Sequence, residues 1–401
     1  MKTTYFPCMA DHAYSVAAAF TAFGLPAEVL PRSDQSTLTT ALEFVRGREC
    51  LPCFMTTGDI VKKCREPGFD PAQARFFMPT SHGPCRMGQY IPLQKEVLQK
   101  IGMSEVEILD ADEDKAYQLD GENAGDIRKV VWQAIVATDL LLKLRHEYRP
   151  YETVPGSTDE AYARSLAALT AAALKQGGEE LVRAMESIAR DFEALEVDRS
   201  GRRPLIAMVG ELYVCQDIFS NNGFVREVEN AGGEVLLTTF SDWLYYCDLR
   251  NRELSSTAGN YLAILGSHIQ EFVERRWEHK LREPIAHLLR NPEEIRAAVA
   301  LPAIRGHFDT MLGGEGVMTM ARAVSYAGQG VDGILNVLPF SCMLGTIASG
   351  MAPRLRRDLM EMIPWLDVPF DGQEITNVRT RLGAFMHQSR EYQRGREGAT
   401  V

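Results

Sequence analysis

The sequence predicts an α/β fold with parallel, doubly wound sheets, and three observations support this prediction. Short apolar runs alternate with longer amphipathic stretches, Gly or Pro marks the ends of several of them, and one long central stretch has a helical pattern throughout. Strands that alternate with helices favour a parallel sheet, because each parallel connection has to return to the starting edge of the sheet.

The first part of the chain contains four predicted strands and three of the helices between them. Gly and Pro in the segment 24–26 end the first helix. The predicted strands are 3–6, 27–30, 75–78 and 106–109, and the predicted helices are 11–23, 35–45 and 87–101.

Residues 125–197 are predicted to be helical, with one marked break at 148–157, and the alternation of strands and helices then resumes at 203. The later predicted strands are 205–209, 234–238, 334–338 and 365–368. The later predicted helices are 221–230, 258–289, 292–299, 318–327, one from 345, and 375–390. We therefore expect two flavodoxin-like domains, residues 1–120 and 201–401, with a helical segment at 121–200 between them.

Composition limits the classes of function. The chain has 401 residues, 45% of them hydrophobic, and a formal net charge of −11, which argues against nucleic-acid binding. No apolar run is long enough to span a membrane, and the N-terminus lacks the apolar region of a signal peptide. We expect a cytoplasmic protein, in which the eight cysteines stay reduced.

Five cysteines lie where a predicted strand ends or a helix begins. Cys8 follows the first strand, Cys85 the third and Cys342 the strand 334–338, whereas Cys50 and Cys53 precede a helix. Parallel sheets bind ligands at the carboxyl ends of their strands, and a helix N-terminus stabilises a thiolate. These thiols could face one cleft and hold a metal cluster.

Other interpretations of the cysteines remain open from the sequence. A zinc ribbon needs a second close pair, which the sequence lacks, and a dithiol at Cys50 and Cys53 leaves the other cysteines unexplained. Free cysteine is also commonly a small core residue. That role is expected for Cys64 and Cys247, whereas Cys215 is ambiguous.

Several polar residues near these cysteines are further candidates. Glu211 follows a strand and could act as an acid or base, and His82 could donate a hydrogen bond to a cluster sulfide or a substrate oxygen. Arg86 is expected to be an electrostatic partner of an anionic cluster. Asp11 and His12 open the first helix, where capping is the expected role.

The sequence also lacks a phosphate-binding loop of the Gly-x-x-x-x-Gly-Lys type. The glycine-rich segment 313–316 is interpreted as the start of a helix, with Glu315 as a minor candidate. We therefore expect that the chain does not hydrolyse ATP itself.

Five short segments resemble the 2-hydroxyacyl-CoA dehydratase / benzoyl-CoA reductase superfamily, and nearest to them is its branch labelled acyl-CoA dehydratase activase-related, which has double-cubane cluster proteins among its relatives. The resemblance extends from the N-terminus to about residue 390. The segments are 50–53 (Cys-Leu-Pro-Cys), 56–59 (Thr-Thr-Gly-Asp), 83–90 (Gly-Pro-Cys-Arg-Met-Gly-Gln-Tyr), 336–343 (Asn-Val-Leu-Pro-Phe-Ser-Cys-Met) and 371–374 (Asp-Gly-Gln-Glu).

The resemblance implies an iron–sulfur cluster of the 4Fe–4S type, or a double cubane in a related branch, with Cys50, Cys53, Cys85 and Cys342 as ligands and Cys8 as a fifth. It also implies a separate ATP-hydrolysing activator of the acetate-kinase, sugar-kinase and Hsp70 type as electron donor. The substrate would be an acyl-CoA or another small molecule, and a homodimer or heterodimer is compatible with the resemblance.

Three functions are therefore predicted. The first is an iron–sulfur reductase or electron-transfer component. The second is an acyl-CoA dehydratase subunit that eliminates water by a ketyl-radical route, and the third is a non-catalytic scaffold with a structural zinc.

Overall fold

The computed structural model describes residues 1–81, 83–112, 123–293, 296–373 and 377–399, and these contain eight β-strands and fifteen α-helices. The strands are β1 (Thr3–Phe6), β2 (Ala27–Val29), β3 (Ala74–Thr80), β4 (Glu107–Asp112), β5 (Leu205–Gly210), β6 (Glu234–Leu237), β7 (Gly333–Pro339) and β8 (Trp365–Phe370). They form two four-stranded, all-parallel sheets with the orders β2-β1-β3-β4 and β6-β5-β7-β8. The prediction of an α/β fold with parallel sheets is confirmed.

The helices connect the strands within each sheet and form a long insertion between the sheets. They are α1 (His12–Ala22), α2 (Gln35–Ala41), α3 (Leu51–Cys64), α4 (Tyr90–Lys100), α5 (Ala124–Tyr148), α6 (Ser157–Leu174), α7 (Glu179–Glu193), α8 (Leu212–Gln216), α9 (Phe224–Asn230), α10 (Phe240–Thr257), α11 (Tyr261–Arg282), α12 (Ala297–Ile304), α13 (Gly314–Gly328), α14 (Met343–Leu359) and α15 (Val378–Ala399). Within the described ranges, no helix is both long enough and apolar enough to cross a membrane.

Several helix predictions were wrong in detail. The helix predicted at 292–299 begins only at Ala297, and the predicted helix 35–45 ends at Ala41. The central helical stretch has a second break, because Gly177 and Gly178 both take a positive φ after α6. Helix α10 was not predicted, since its aromatic residues obscure the helical pattern of polar and apolar positions. The start of the helix predicted at 375–390 lies outside the described residues.

Helices α2 and α3 join the first sheet to the second. They lie close together because Gly58 has no side chain; a Cβ there would come within 2.3 Å of the Thr37 carbonyl oxygen. Asp59 strengthens the contact by accepting hydrogen bonds from Ser33 Oγ at 2.7 Å and Thr37 Oγ1 at 2.8 Å. This helix pair shares one hydrophobic core with the second sheet, formed among others by Leu38, Leu51, Phe54, Met55, Ile206, Met208, Val337 and Phe370.

A second core lies among the inserted helices. Residues of α5, α6 and α7 pack with Tyr245 of α10 and Leu281 of α11. The insertion therefore packs against helices that follow β6. The predicted domain boundaries near residues 120 and 200 stay a prediction.

Candidate functional site

A cavity of about 250 Å³ lies where the carboxyl ends of strands from both sheets meet several helices. Residues that follow β1, β3, β5 and β7 line it, together with side chains of α1, α5, α10 and α11. A single water needs about 10–15 Å³ on the same measure, so the cavity is large enough for a small organic molecule or a cofactor. Carboxyl ends of parallel strands are the usual ligand-binding edge of such sheets.

Four cysteines line this cavity, and three of them are each the residue immediately before a helical segment. Cys50 precedes α3, Cys85 precedes a 3₁₀ turn at Arg86–Gln89, and Cys342 precedes α14. All three have extended backbone angles, as expected of an N-cap residue. Free backbone N–H groups at a helix start favour negative charge on sulfur.

Two of these sulfur atoms accept backbone hydrogen bonds. Cys85 Sγ accepts from the Met87 N–H at 3.4 Å, and Cys342 Sγ accepts from the Gly345 N–H at 3.4 Å. Burial nevertheless raises the pKa of Cys85 to about 12 and the pKa of Cys342 to about 11. Without a bound cation, these thiols therefore stay protonated at neutral pH.

The thiols are close enough to influence one another. Burial is the largest cause of the raised pKa of Cys50 and of Cys85, and in both cases a negative charge on Cys342 raises the pKa further. Thiols of the first and second sheets thus share one electrostatic environment.

Cys53 and Cys8 lie outside the set of lining residues. The sequence prediction that Cys53 precedes the helix was wrong, because Cys53 lies in the first turn of α3, where it packs beside Cys50. Cys8 is buried after β1, with its Sγ 3.9 Å from the Tyr14 hydroxyl, and burial raises its pKa to about 11. The expectation that all five thiols face one cleft is therefore met by three of them.

Arg86 connects two of the cysteine-bearing loops. Its Nη1 donates to the Arg48 carbonyl at 2.8 Å, and its Nη2 donates to the Ser341 carbonyl at 2.9 Å. These bonds hold the loop before Cys50 against the loop before Cys342. Ser341 itself has φ of 59°, in the left-handed region that L-residues rarely adopt, so the loop is strained beside the site.

Two glutamates add negative charge to the cavity wall. Glu211 is the N-cap of α8 and accepts from the Tyr213 N–H at 3.2 Å and the Val214 N–H at 2.8 Å. Burial raises the pKa of Glu211 to about 7, so this carboxyl can hold or release a proton near neutrality. Glu315, in the first turn of α13, accepts from the Leu212 N–H at 3.3 Å.

The sequence did not indicate that several other residues line the cavity. Tyr90 begins α4, and its hydroxyl hydrogen-bonds to the Cys50 thiol. His12 was interpreted as part of a helix cap, but it is buried in the wall and its Nε2 lies 2.9 Å from Asp139 Oδ1. Cys247 belongs to the core as expected, and it also touches the cavity. Tyr90 was within reach of sequence analysis, because it closes a segment that carries the resemblance.

The remaining candidates have simpler placements. Cys64 is a core residue as expected, and Cys215 is also buried in a core, with its Sγ donating to the Val209 carbonyl at 3.7 Å. His82 lies outside the described residues.

Among the described residues, no group of three or more His, Cys, Asp or Glu side chains converges closely enough to bind a single metal ion. A zinc site requires such convergence, with about 2.0–2.3 Å from each donor atom to one point. A cluster has different needs, since its cysteines bind different irons and are therefore spaced apart.

Comparison of the sequence with models of known protein families gave no match, and comparison with curated protein sequences gave none either.

Proposed function

We propose that the chain is an iron–sulfur protein of the 2-hydroxyacyl-CoA dehydratase type. It accepts low-potential electrons from a separate ATP-dependent activator and passes them to a small-molecule substrate or a partner. The observation that carries the proposal is that Cys50, Cys85 and Cys342, far apart in sequence, each precede a helical segment at one cavity.

The strand order supports a flavodoxin-like interpretation of both sheets. Each sheet has the order 2-1-3-4 when its own strands are numbered along the chain. In that family of folds the ligand binds where the strand order reverses, between the first and third strands. Here those positions are the ends of β1 and β3 in one sheet and of β5 and β7 in the other, and residues that follow all four strands line the cavity.

The residues fit a cluster in kind and position. Cys50, Cys85 and Cys342 would hold it, with Cys53 one turn further along α3. A bound cluster supplies one-electron transfer at a potential that depends on burial and on hydrogen bonds to sulfur. The N–H groups of Met87 and Gly345 already donate such bonds. Reduction of a substrate also consumes protons, and Glu211, with its pKa raised to about 7 by burial, can supply one at the cavity wall.

The test is anaerobic reconstitution of the full chain with iron and sulfide, followed by visible spectroscopy and electron paramagnetic resonance. We expect broad visible absorption that bleaches on reduction, and a paramagnetic signal in the reduced state. A colourless protein that binds only zinc would contradict the proposal. Addition of an activator ATPase with ATP, and of CoA thioesters in a second arm, distinguishes an electron-transfer role from dehydration.

A further inference from the structure

Helices α5, α10 and α11 form the part of the cavity wall that lies away from the thiol-bearing loops along the sequence, and we call this part the helical wall. It consists of Arg128 and Trp132 from α5, Trp243 and Asp248 from α10, and Glu274 from α11. Two indole side chains and two carboxylates therefore line one part of the cavity.

Glu274 is the least satisfied group of the helical wall. Its side chain is buried, with 8% exposure, and its Oε1 accepts from Gln270 Nε2 at 2.8 Å. Its Oε2 is also buried and has no hydrogen-bond partner among the described residues. A buried carboxylate oxygen without a partner is destabilising, so a hydrogen-bond donor from a ligand would be favourable here.

The local charges leave this carboxylate without a counterion. Gln270 also reaches Asp248 Oδ2 at 3.3 Å, and the cation Arg128 lies 3.9 Å from Asp248 Oδ1. Burial first, and then the charge of Asp248, raise the pKa of Glu274 to about 7, and the smaller opposing effect of Arg128 does not offset them. Glu271, on the same helix, adds further negative charge.

The aromatic residues complete a surface suited to a cation. Trp132 and Trp243 line the cavity beside these acids. Indole faces attract ammonium groups, and the attraction is stronger where water is excluded. A hydrophobic body would pack against the remaining apolar lining.

We propose that the helical wall binds the ammonium group of a small apolar or aromatic amine, with Glu274 as its counterion. This inference rests on the proposed function in one respect only, namely that the bound amine is the substrate. The binding itself requires the helical wall and no cluster.

The experiment compares three ligands of nearly equal shape by isothermal titration calorimetry, with the full chain both before and after cluster reconstitution. The probes are 2-phenylethylamine, 2-phenylethanol and 3-phenylpropionate. We expect the amine to bind at least tenfold more tightly than the alcohol, and the carboxylate to bind more weakly than either. Equal or tighter binding of the carboxylate would overturn the proposal and would identify Arg128 as the recognising group.

The pH dependence provides a measurement that needs no variant. Since the amine binds the ionised form of Glu274, its affinity should rise about tenfold between pH 6 and pH 8. Arg128 on α5, Asp248 on α10 and Glu271 on α11 are the charged groups that face this carboxyl. An affinity that is constant or falls with pH would contradict the assignment.

Glu274→Gln keeps the shape of the side chain and should weaken amine binding at least tenfold and abolish the pH dependence. Glu179→Gln is the control. Glu179 lies on α7, is exposed, and pairs with Lys280 of α11, the helix that carries Glu274. Unchanged binding by Glu274→Gln would refute the proposal. Because binding is also measured without a cluster, a failure here is distinguishable from a failure to assemble iron and sulfide.

A second, independent observation concerns the outer surface of α11. Only two residues of this helix are buried, Glu274 and Leu281. Four exposed apolar residues follow one another at spacings of three, four and three residues: Leu262 (83% exposed), Leu265 (58%), Ile269 (59%) and Phe272 (68%). That spacing is typical of the contact seam of a coiled coil.

The seam is large enough for a self-association interface. With the flanking Tyr261 and Val273 it exposes six large side chains, each of which would bury roughly 100 Å². Two copies would therefore bury roughly 1,200 Å², which is the lower limit for a stable interface. Most of the seam, residues 261–270, contains no Asp, Glu, Lys or Arg, so like charges do not meet along that part.

We infer that α11 pairs with α11 of a second copy of this chain in a two-fold, antiparallel arrangement. An interface of this kind uses the same patch on both subunits, and here the patch is contiguous on one helix. Antiparallel pairing about the middle of the seam brings Leu262 of one copy opposite Phe272 of the other, and Leu265 opposite Ile269.

Sedimentation velocity of the full chain at about 10–100 µM tests this inference, and we expect a dimer. Ile269→Glu should shift the protein to monomer, because it places a charge at the centre of the seam on both subunits. Leu174→Glu, at an exposed leucine outside the seam, should leave the dimer intact. A monomeric wild type, or an Ile269→Glu protein that remains dimeric, would overturn the inference.

Discussion

The two sheets have the same strand order but place different chemistry at the cavity. In both, the third strand ends in a loop with an N-cap cysteine followed three residues later by glycine: Cys85 and Gly88 after β3, Cys342 and Gly345 after β7. The first strands differ. After β1, Cys8 is buried away from the cavity wall, whereas Glu211 lines the cavity after β5.

The thiols and the titratable carboxyl therefore lie after different strands. Cys85 and Cys342 follow the third strand of each sheet, whereas Glu211 follows the first strand of the second sheet. The equivalent ends of β3 and β7 both present a thiol with an N–H donor to sulfur. The second sheet adds a carboxyl, and the first sheet adds the Cys50 thiol through α3. Two sheets with the same strand order thus surround one asymmetric site. The following experiments test how far the two sheets are equivalent at that site.

The largest effect is expected from removing either of the equivalent thiols. Cys85→Ser and Cys342→Ser should each lose most of the iron bound after anaerobic reconstitution, because in the proposed site each sheet contributes a necessary ligand. Cys64→Ala is the matched control, since Cys64 is a buried core thiol away from the cavity. Iron content measured per folded chain checks this prediction. Retention of iron by Cys342→Ser would confine the metal site to the first sheet.

The two glycines that follow the cysteines should differ in tolerance. A Cβ at Gly88 would lie 2.3 Å from the Ser81 carbonyl oxygen, which is rigid backbone, so Gly88→Ala should reduce the free energy of unfolding by about 3 kcal/mol. At Gly345 the nearest atoms belong to the Leu338 side chain, Cδ1 at 2.6 Å and Cβ at 2.9 Å, so most of the side chain can move although Cβ moves only with the backbone. The better helix propensity of alanine, about 1 kcal/mol, offsets part of that clash.

Chemical denaturation of both alanine variants measures this difference. A larger loss for Gly345→Ala than for Gly88→Ala would show that the two cysteine loops do not pack as described.

The contact of α2 and α3, through which the first sheet reaches the second, should depend on pH. Burial raises the pKa of Asp59 from 3.8 to about 6. The unfolded chain ionises this carboxyl near its ordinary value, while the folded protein keeps the proton to higher pH. Stability is therefore fully present below about pH 4 and is lost as the pH rises to about 6, by about 2–3 kcal/mol.

Asp59→Asn removes this titration and should gain about 2–3 kcal/mol relative to wild type between pH 4 and pH 7. Denaturation of both proteins at the two pH values measures the change, and Asp198→Asn, at an exposed carboxyl, is the control. A difference between Asp59→Asn and wild type that does not vary with pH would contradict the burial of this group.

The smallest effect is expected at the connection between the two halves. Arg86→Ala removes two charge-assisted bonds to the carbonyls of Arg48 and Ser341, and should reduce the free energy of unfolding by about 1.5–3 kcal/mol. Because Arg86 is half-exposed, the lower end of that range is expected. Arg357→Ala, at an arginine that bonds only its neighbour Asp358 on the surface, should change stability little. Equal effects of the two substitutions would show that the connection contributes nothing.

All eight strands were predicted close to their observed positions, and the clearest signal was the contiguous apolar run of a buried parallel strand. β7 is an example, with all seven residues buried. The edge on which the cysteines meet was predictable for the same reason, since strand ends in parallel sheets share one edge.

The helical wall was not predictable. Arg128 on α5 is far in sequence from Asp248 on α10 and Glu274 on α11, and the proximity of these residues depends on how the three helices pack. The position of Cys8 was also beyond sequence reasoning, because it follows a strand as Cys85 does and differs only in the direction its loop takes.

The most direct test of the account is the ratio of iron to acid-labile sulfide in the full chain, reconstituted and handled without oxygen. If thiols of both sheets hold one polynuclear centre, iron and sulfide should be present in equal amounts, about four of each per chain or more. Both should fall together in Cys85→Ser and in Cys342→Ser. Stoichiometric zinc without sulfide, or iron that survives both substitutions, would contradict the account.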